Sequence, residues 1–295
     1  MESLAPVAAE IARLAGVGCR PEPEARIAGG SINRCYRWVS GAGPLFVKVG
    51  AREALAMFEA EAAGLAELAA ARALRVPRVL ACGSRASHAF LALEWLEHSA
   101  VTEACEERLG RGLASLHRVT RPEFGWHRDN TIGSTPQANG PLAGWAEFFR
   151  ERRLRPQLAL AAQRGFAKLL APAGERLCDA VEALLGGHRP AASLLHGDLW
   201  GGNWLATAGG EPAVFDPAVY YGDRETDIAM SRLFGGFGPA FYRAYAAEAP
   251  LPPGAEMRRE LYDLYHVLNH ANLFGGSYAR RARALIDGLL ERVRT

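Results

Sequence analysis

The chain has 295 residues, 49% of them hydrophobic and 22% charged, which suits a soluble globular protein large enough for two lobes around a cleft. A formal net charge of +2 gives no reason to expect nucleic acid or an anionic membrane as a partner, and no stretch approaches the ~18 uncharged apolar residues of a membrane span. Five scattered cysteines (Cys19, Cys35, Cys82, Cys105, Cys178), none in a C-x-x-C pair, argue against a disulfide framework or a cysteine zinc site and suit a reducing, cytoplasmic setting.

In chain order, residues 4–14 have the apolar spacing of a short amphipathic helix, and Glu2 and Glu10 break any signal-peptide pattern. Glu24-Ala25-Arg26-Ile27 and Cys35-Tyr36-Arg37-Trp38-Val39 read as strands joined through Gly29-Gly30-Ser31-Ile32-Asn33. Gly41-Ala42-Gly43-Pro44 is a turn signal before a third strand, Leu45-Phe46-Val47-Lys48-Val49. Residues 54–74, rich in Ala, Leu and Glu, predict a helix. Two more strands follow, at Val76-Pro77-Arg78-Val79-Leu80 and Ala89-Phe90-Leu91-Ala92-Leu93. After Glu94-Trp95-Leu96-Glu97 the pattern turns helical, over residues 101–118, 143–154 and 166–185. A Gly/Pro/Asn-rich stretch at 122–141 is longer than most connecting loops, as functional loops commonly are. The arginine-rich residues 150–155 read as a solvated helix face. Short β segments at Ser193-Leu194-Leu195 and Ala213-Val214-Phe215 come next, and from Arg224 onward the pattern is mostly helical.

Between those two β segments lies the stretch richest in chemistry, His196-Gly197-Asp198-Leu199-Trp200-Gly201-Gly202-Asn203, with Asp216 following Phe215. An Asp five positions before an Asn, then a second Asp after an apolar run, is the arrangement of a phosphoryl-transfer site. Asp198 would orient the acceptor hydroxyl and take its proton. Asn203 and Asp216 are oxygen donors of the kind Mg²⁺ takes while keeping water and phosphate for the rest of its shell. Any one Asp is ordinarily a turn or cap residue; the joint occurrence beside short β runs favours the chemical reading. His196 reads as packing beneath the loop, and Asp227 as a cap or a holder of the loop backbone.

Lys48 is one charge in a buried-looking strand, costly without partners. The phosphates of ATP and a helix glutamate would supply them; Glu61 is the choice, and periodicity leaves Glu59 as a rival. Gly29, Gly30 and Ser31 form a turn whose free N–H groups suit phosphate oxygens. Glu94 and Leu96 would lie in a hinge whose backbone reads adenine. Trp200 would either stack on a sugar or pack the loop against the larger lobe. ATP and Mg²⁺ are thus the expected cofactors. The order β-β-β-α-β-β followed by helices predicts an α+β, bilobal, protein-kinase-like fold. Residues 1–96 would form the nucleotide-binding lobe, with a five-stranded antiparallel sheet, one helix of the αC type and the hinge. Residues 97–295 would form a mainly helical catalytic and substrate-binding lobe, with the site between them.

With these residues in hand the chain resembles the fructosamine kinase (ketosamine-3-kinase) family, related to aminoglycoside phosphotransferases and choline kinases. The resemblance covers nearly the whole chain. It rests on the 196–203 stretch, on Phe215-Asp216-Pro217-Ala218-Val219-Tyr220-Tyr221-Gly222-Asp223-Arg224-Glu225, on Asp129-Asn130-Thr131-Ile132-Gly133-Ser134-Thr135-Pro136-Gln137, on the glycine-rich turn and on His266-Val267-Leu268-Asn269-His270-Ala271-Asn272-Leu273-Phe274-Gly275-Gly276. It implies transfer of the ATP γ-phosphate to the sugar 3-hydroxyl of ketosamines, free or protein-bound, whose unstable 3-phosphates then release the amine. By matching positions it implies Asp198 as base, Asn203 and Asp216 as metal ligands, and Lys48 with Glu61 as phosphate clamp. Where some relatives carry a redox-active Cys in the glycine-rich turn, this chain has Ser31. Two other readings remain: the same fold acting on an aminoglycoside, choline, homoserine or another sugar, and a nucleotide-binding pseudokinase, whose usual sign would be loss of Lys48, Asp198, Asn203 or Asp216. All four are present. Monomer and homodimer are both left open.

Overall fold

The computed structural model describes residues 3–27 and 33–293. Chain order begins α1 (Ala5–Ala15), β1 (Ala25–Ile27), β2 (Arg34–Ser40), β3 (Gly43–Ala51), α2 (Leu55–Ala71), β4 (Val79–Arg85) and β5 (His88–Glu94). The strands form one antiparallel sheet in the order β1-β2-β3-β5-β4. Alternate side chains of a strand point to opposite faces, and here both faces are covered. Leu45, Val47 and Val49 of β3, with Phe90 and Ala92 of β5, pack with Val7, Ala8 and Ile11 of α1. Ala89, Leu91 and Leu93 face the other way, onto Phe58 and Leu65 of α2. Lys48, flanked by Val47 and Val49, therefore lies on the α2 side.

In the sheet and its helix, two elements differ most from the sequence reading. The fourth strand starts at Val79, not Val76, and runs on to Arg85, with a bulge between Val79 and Ala81. Pro77 has no N–H to give a ladder, which accounts for the late start. Helix α2 ends at Ala71, because Arg72 takes a left-handed conformation (φ 52°) that caps it.

The remaining chain is mainly helical. It comprises β6 (His98–Ser99), α3 (Glu103–His117), β7 (Thr120–Arg121), β8 (Asn130–Ile132), β9 (Thr135–Gln137), α4 (Trp145–Phe148), α5 (Arg155–Ala161) and α6 (Ala167–Leu185). Then come β10 (Ala192–Leu195), β11 (Trp204–Thr207), β12 (Pro212–Val214), β13 (Tyr220–Gly222), α7 (Glu225–Leu233), α8 (Pro239–Glu248), α9 (Ala255–Phe274) and α10 (Gly276–Arg292). Thr102 starts α3 by accepting the N–H of Cys105 on its side chain. One large core, including Leu109, Leu113, Phe148, Leu177, Phe241, Leu264 and Ile286, holds the helices together. The long 122–141 stretch is not featureless: β8 and β9 form a hairpin inside it. Among the described residues no helix is long and apolar enough to cross a membrane.

In the arginine-rich segment one residue, Arg153, overturns the expectation of a solvated face, while Arg150, Arg152 and Arg155 stay partly exposed. Residues Phe149–Leu154 form a π-helical turn, which shifts the helical register, and Arg153 becomes fully buried. Its guanidinium lies over the rings of Tyr220 (3.9 Å) and Phe148 (4.7 Å), and donates to the Ala138 carbonyl (2.6 Å) and Asn139 Oδ1 (2.7 Å). It forms no ion pair with a carboxylate among the described residues.

Candidate active site

The loop after β10 is suspended from Asp227 of α7. Asp227 accepts the N–H of His196 (2.8 Å) and of Gly197 (2.9 Å), and a third bond joins it to His117 Nε2 (3.1 Å). Burial opposes its ionisation, yet the bond and charge of His117 outweigh that and hold its pKa below the ordinary value. Gly197 has φ +83°, and a Cβ there would sit 2.1 Å from the Ala218 carbonyl oxygen, so only glycine fits. His196 accepts the N–H of Asp198 at Nδ1 (3.3 Å), so Nε2 carries the proton that it donates to the Phe215 carbonyl (3.0 Å). Burial keeps that imidazole neutral. His196 thus ties the Asp198 loop to the residue preceding Asp216 and does not enter the cleft.

Asp198, Asn203 and Asp216 line one cavity of ≈ 430 Å³ together with Lys48, Glu61, Trp200 and the β8–β9 hairpin residues Asn130, Thr131 and Gly133. Lys48 Nζ lies 2.7 Å from Glu61 Oε1 and 2.6 Å from Asp216 Oδ1. Glu61 is therefore the partner and Glu59, which is exposed, is not. Burial pulls the Lys48 pKa down, but Asp216 and Glu61 more than reverse it, so the ammonium stays charged. Asn203 Nδ2 donates to the Asp198 carbonyl (2.8 Å) and carboxylate (3.2 Å). Burial first, and then the charge of Asp216, push the Asp198 carboxyl up to about 7 against the Asn203 bond. Asp216 itself sits at φ 55°, uncommon for a residue with a side chain and of the kind retained at functional sites.

A second, more apolar cavity of ≈ 270 Å³ adjoins through Asp216 and is lined by Ile27, Phe46, Leu93, Leu205 and Phe215, with Glu94, Trp95 and Leu96 at its edge. Its size and lining suit a flat aromatic base. The side chain of Glu94 is taken up by Arg75 (2.8 Å) and its N–H by the Arg78 carbonyl (2.9 Å). Trp200 is 40% exposed, with its ring folded over Gly202. Gly29, Gly30 and Ser31 lie outside the described residues.

The hairpin residues escaped the sequence reading as contacts. They are held by a buried amide network: Asn130 Nδ2 donates to the Val219 carbonyl (2.8 Å), Gln137 Nε2 donates to Asn130 Oδ1 (2.8 Å) and the Ala218 carbonyl (3.1 Å), and Tyr265 donates to Gln137 Oε1 (2.6 Å). Only the polar character of 130–139 hinted at it. Leu205 and Phe215 belong to apolar runs that carry no chemical signal.

The family model described as fructosamine kinase matches residues 4–292. The "probable ketoamine kinase" of Synechocystis sp. is 44% identical over 285 residues, 96% of either chain. The chloroplastic protein-ribulosamine 3-kinase of Oryza sativa subsp. indica is 41% identical over 267 residues, 90% of this chain and 78% of that one. The crystal structure of a protein assigned as a fructosamine-3-kinase from Haemophilus somnus 129PT superposes with a TM-score of 0.89 at 31% identity, covering 98% of each chain. An aminoglycoside phosphotransferase solved with AMP-PNP and hygromycin B (TM-score 0.60, 18% identity, 97% of each chain) shares the protein-kinase-like fold and nothing closer. The chain belongs to the fructosamine kinase family and is a phosphotransferase.

Proposed function

We propose that this enzyme transfers the γ-phosphoryl group of ATP to the sugar 3-hydroxyl of a ketosamine, the adduct of a reducing sugar with an amine such as a lysine side chain. The names of the Synechocystis and rice relatives support that acceptor class. The single observation that carries the mechanism is the meeting of Asp198, Asn203, Asp216, Lys48 and Glu61 in one cleft. We take residues 1–96 and 97–295 as the two lobes that bound it.

The apolar cavity would take adenine, with the Glu94 carbonyl and the Leu96 N–H offered to its edge. Gly29, Gly30 and Ser31 would offer N–H groups to phosphate oxygens, and Lys48, oriented by Glu61, a positive charge. A divalent cation fits the donor set: Asp216 supplies a carboxylate, and Asn203, whose Nδ2 is spent on Asp198, has Oδ1 left over. When bound there, Mg²⁺ supplies charge neutralisation for the phosphates. Asp198, with a pKa near neutrality, orients the acceptor hydroxyl and accepts its proton as the new O–P bond forms. The bond from the γ-phosphorus to its bridging oxygen breaks, and ADP leaves with that electron pair. A phosphate on C3, next to the C2 carbonyl, then departs once the product enolises towards C1, and hydrolysis frees the amine. The five free cysteines suit a cytoplasmic enzyme.

The test is ADP release with fructosyl-lysine, ribulosyl-lysine, an aminoglycoside and choline as acceptors, with NMR locating the new phosphate. Turnover confined to the ketosamines, phosphorylated at O3, is expected. Turnover of an aminoglycoside or choline with none of either ketosamine would end the proposal.

A further inference from the structure

Beyond the cleft, four aromatic rings form a cluster that the chemistry above does not use. Phe234, at the end of α7, lies 4.4 Å centroid to centroid from His270 of α9; His270 lies 5.5 Å from Phe274 and 5.1 Å from Tyr278. Phe274 is 58% exposed and the other three rings are half-buried, so the four present one partly exposed aromatic patch, and such patches commonly mark binding sites. Burial lowers the pKa of His270, so the cluster carries no charge of its own at neutral pH.

The cluster is continuous with the catalytic loop. Gly201 donates its N–H to the Gly235 carbonyl (3.1 Å), and a Cβ on Gly236 would come within 2.4 Å of Gly201 Cα. Phe234 is therefore one residue from a backbone contact with the loop, and so is Trp200, which lines the cleft. At the outer edge, Arg280 and Arg281 are exposed and make no ion pair among the described residues. Aromatic rings edged by arginine are the composition of a protein-recognition surface, and the free cations suit acidic groups.

We propose that the Phe234–His270–Phe274–Tyr278 cluster, edged by Arg281, docks the polypeptide that carries a ketosamine on a lysine, favouring aromatic and acidic residues near the modified position. The inference rests on the ketosamine reading above. The amine is the end of a ketosamine that carries the rest of a polypeptide, so a free modified amino acid offers the cluster little to hold, whereas a peptide does. The surface therefore separates protein-bound from free acceptors and leaves the chemical step untouched.

Three acceptors test it: ribulosyl- or fructosyl-lysine (whichever wild type phosphorylates better), a ten-residue peptide carrying that lysine between Phe and Asp residues, and the same peptide with Lys and Gly instead. Wild type should prefer the Phe/Asp peptide to the Lys/Gly peptide. Phe274→Ser should lower kcat/KM for the Phe/Asp peptide about tenfold, through KM, and change that for the free modified lysine less than twofold. Arg281→Glu should reduce or reverse the preference for acidic flanks. Equal losses on all acceptors, or no loss on the peptide, would overturn the docking role while wild-type turnover still upheld the ketosamine reading. A wild type inactive on every ketosamine would remove both together.

Discussion

In the proposed reaction Asp198 accepts the acceptor's proton, and two opposed effects suit it to that: burial and the charge of Asp216 raise its pKa to about 7, and the Asn203 bond restrains it. Asp198→Asn should lower kcat by about 10²–10⁴-fold, the usual worth of a general base, with Mg·AMP-PNP affinity within about threefold of wild type by calorimetry. Turnover close to wild type would strip Asp198 of that role. That this residue meets Asn203 and Asp216 in one cleft was legible in the sequence, because phosphoryl transfer demands few residue types at tight spacing. The partner of Lys48 was legible only as a preference for Glu61, which the structure bears out. Glu59 and Glu61 are both plausible by periodicity, and the choice is made only when the sheet turns Lys48 towards α2 and places its Nζ 2.7 Å from Glu61.

At the scale of elements, the β8–β9 hairpin lines the cleft beside Asp198, on the side proposed for the acceptor, and Arg153 holds the chain just after it. A buried guanidinium without a carboxylate is costly, so its bonds to Ala138 and Asn139 and its aromatic bed must matter to what they hold. Arg153→Met should raise the acceptor KM about tenfold or more while the ATP KM moves less than twofold, since small misplacements near the reacting groups are expensive. Arg153→Lys should restore part of the loss. A variant with lower melting temperature and unaltered acceptor KM would reduce Arg153 to packing. Nothing in the 150–155 sequence announced this. A π-helical turn breaks the 3.6-residue rule on which a face assignment depends. By contrast, the five strands of the sheet were readable from β-rich runs and turn signals; the largest error is the fourth, which starts late because a proline withholds its N–H and runs on to Arg85 rather than ending at Leu80.

At the scale of the molecule, α2 joins the sheet to the helical part. Glu67 accepts from Tyr221 (2.7 Å) and Arg121 (3.0 Å), Gly64 lets Val219 and Pro217 approach, and Lys48 bridges to Asp216. Such long-range ties have no local signature in the sequence, because even the nearest pair of partners, Glu67 and Arg121, lies 54 positions apart. Binding in the cleft should therefore stabilise the whole: Mg·AMP-PNP at 100 times its Kd adds about 2.7 kcal/mol, a Tm rise of roughly 5 °C. Asp216→Ala should abolish the part of that rise that depends on Mg²⁺, and an undiminished rise would remove Asp216 as a metal ligand. Global stability should also depend on pH through Asp263 of α9. Its Oδ1 is buried without a hydrogen bond, and burial lifts its pKa to about 7 although Arg259, Arg281 and Arg232 pull it down; Glu260 adds to the rise. The unfolded carboxyl titrates near ~3.9. Between those values the native state binds the extra proton, so the contribution of Asp263 is fully present below about pH 4 and is lost as pH rises through 7. The Tm of Asp263→Asn minus that of wild type should thus grow more positive from pH 4 to pH 8. Asp198, which titrates in the same range, cancels from that difference because both proteins carry it. A difference that stays flat across the range would mean that Asp263 ionises alike in the folded and unfolded chains.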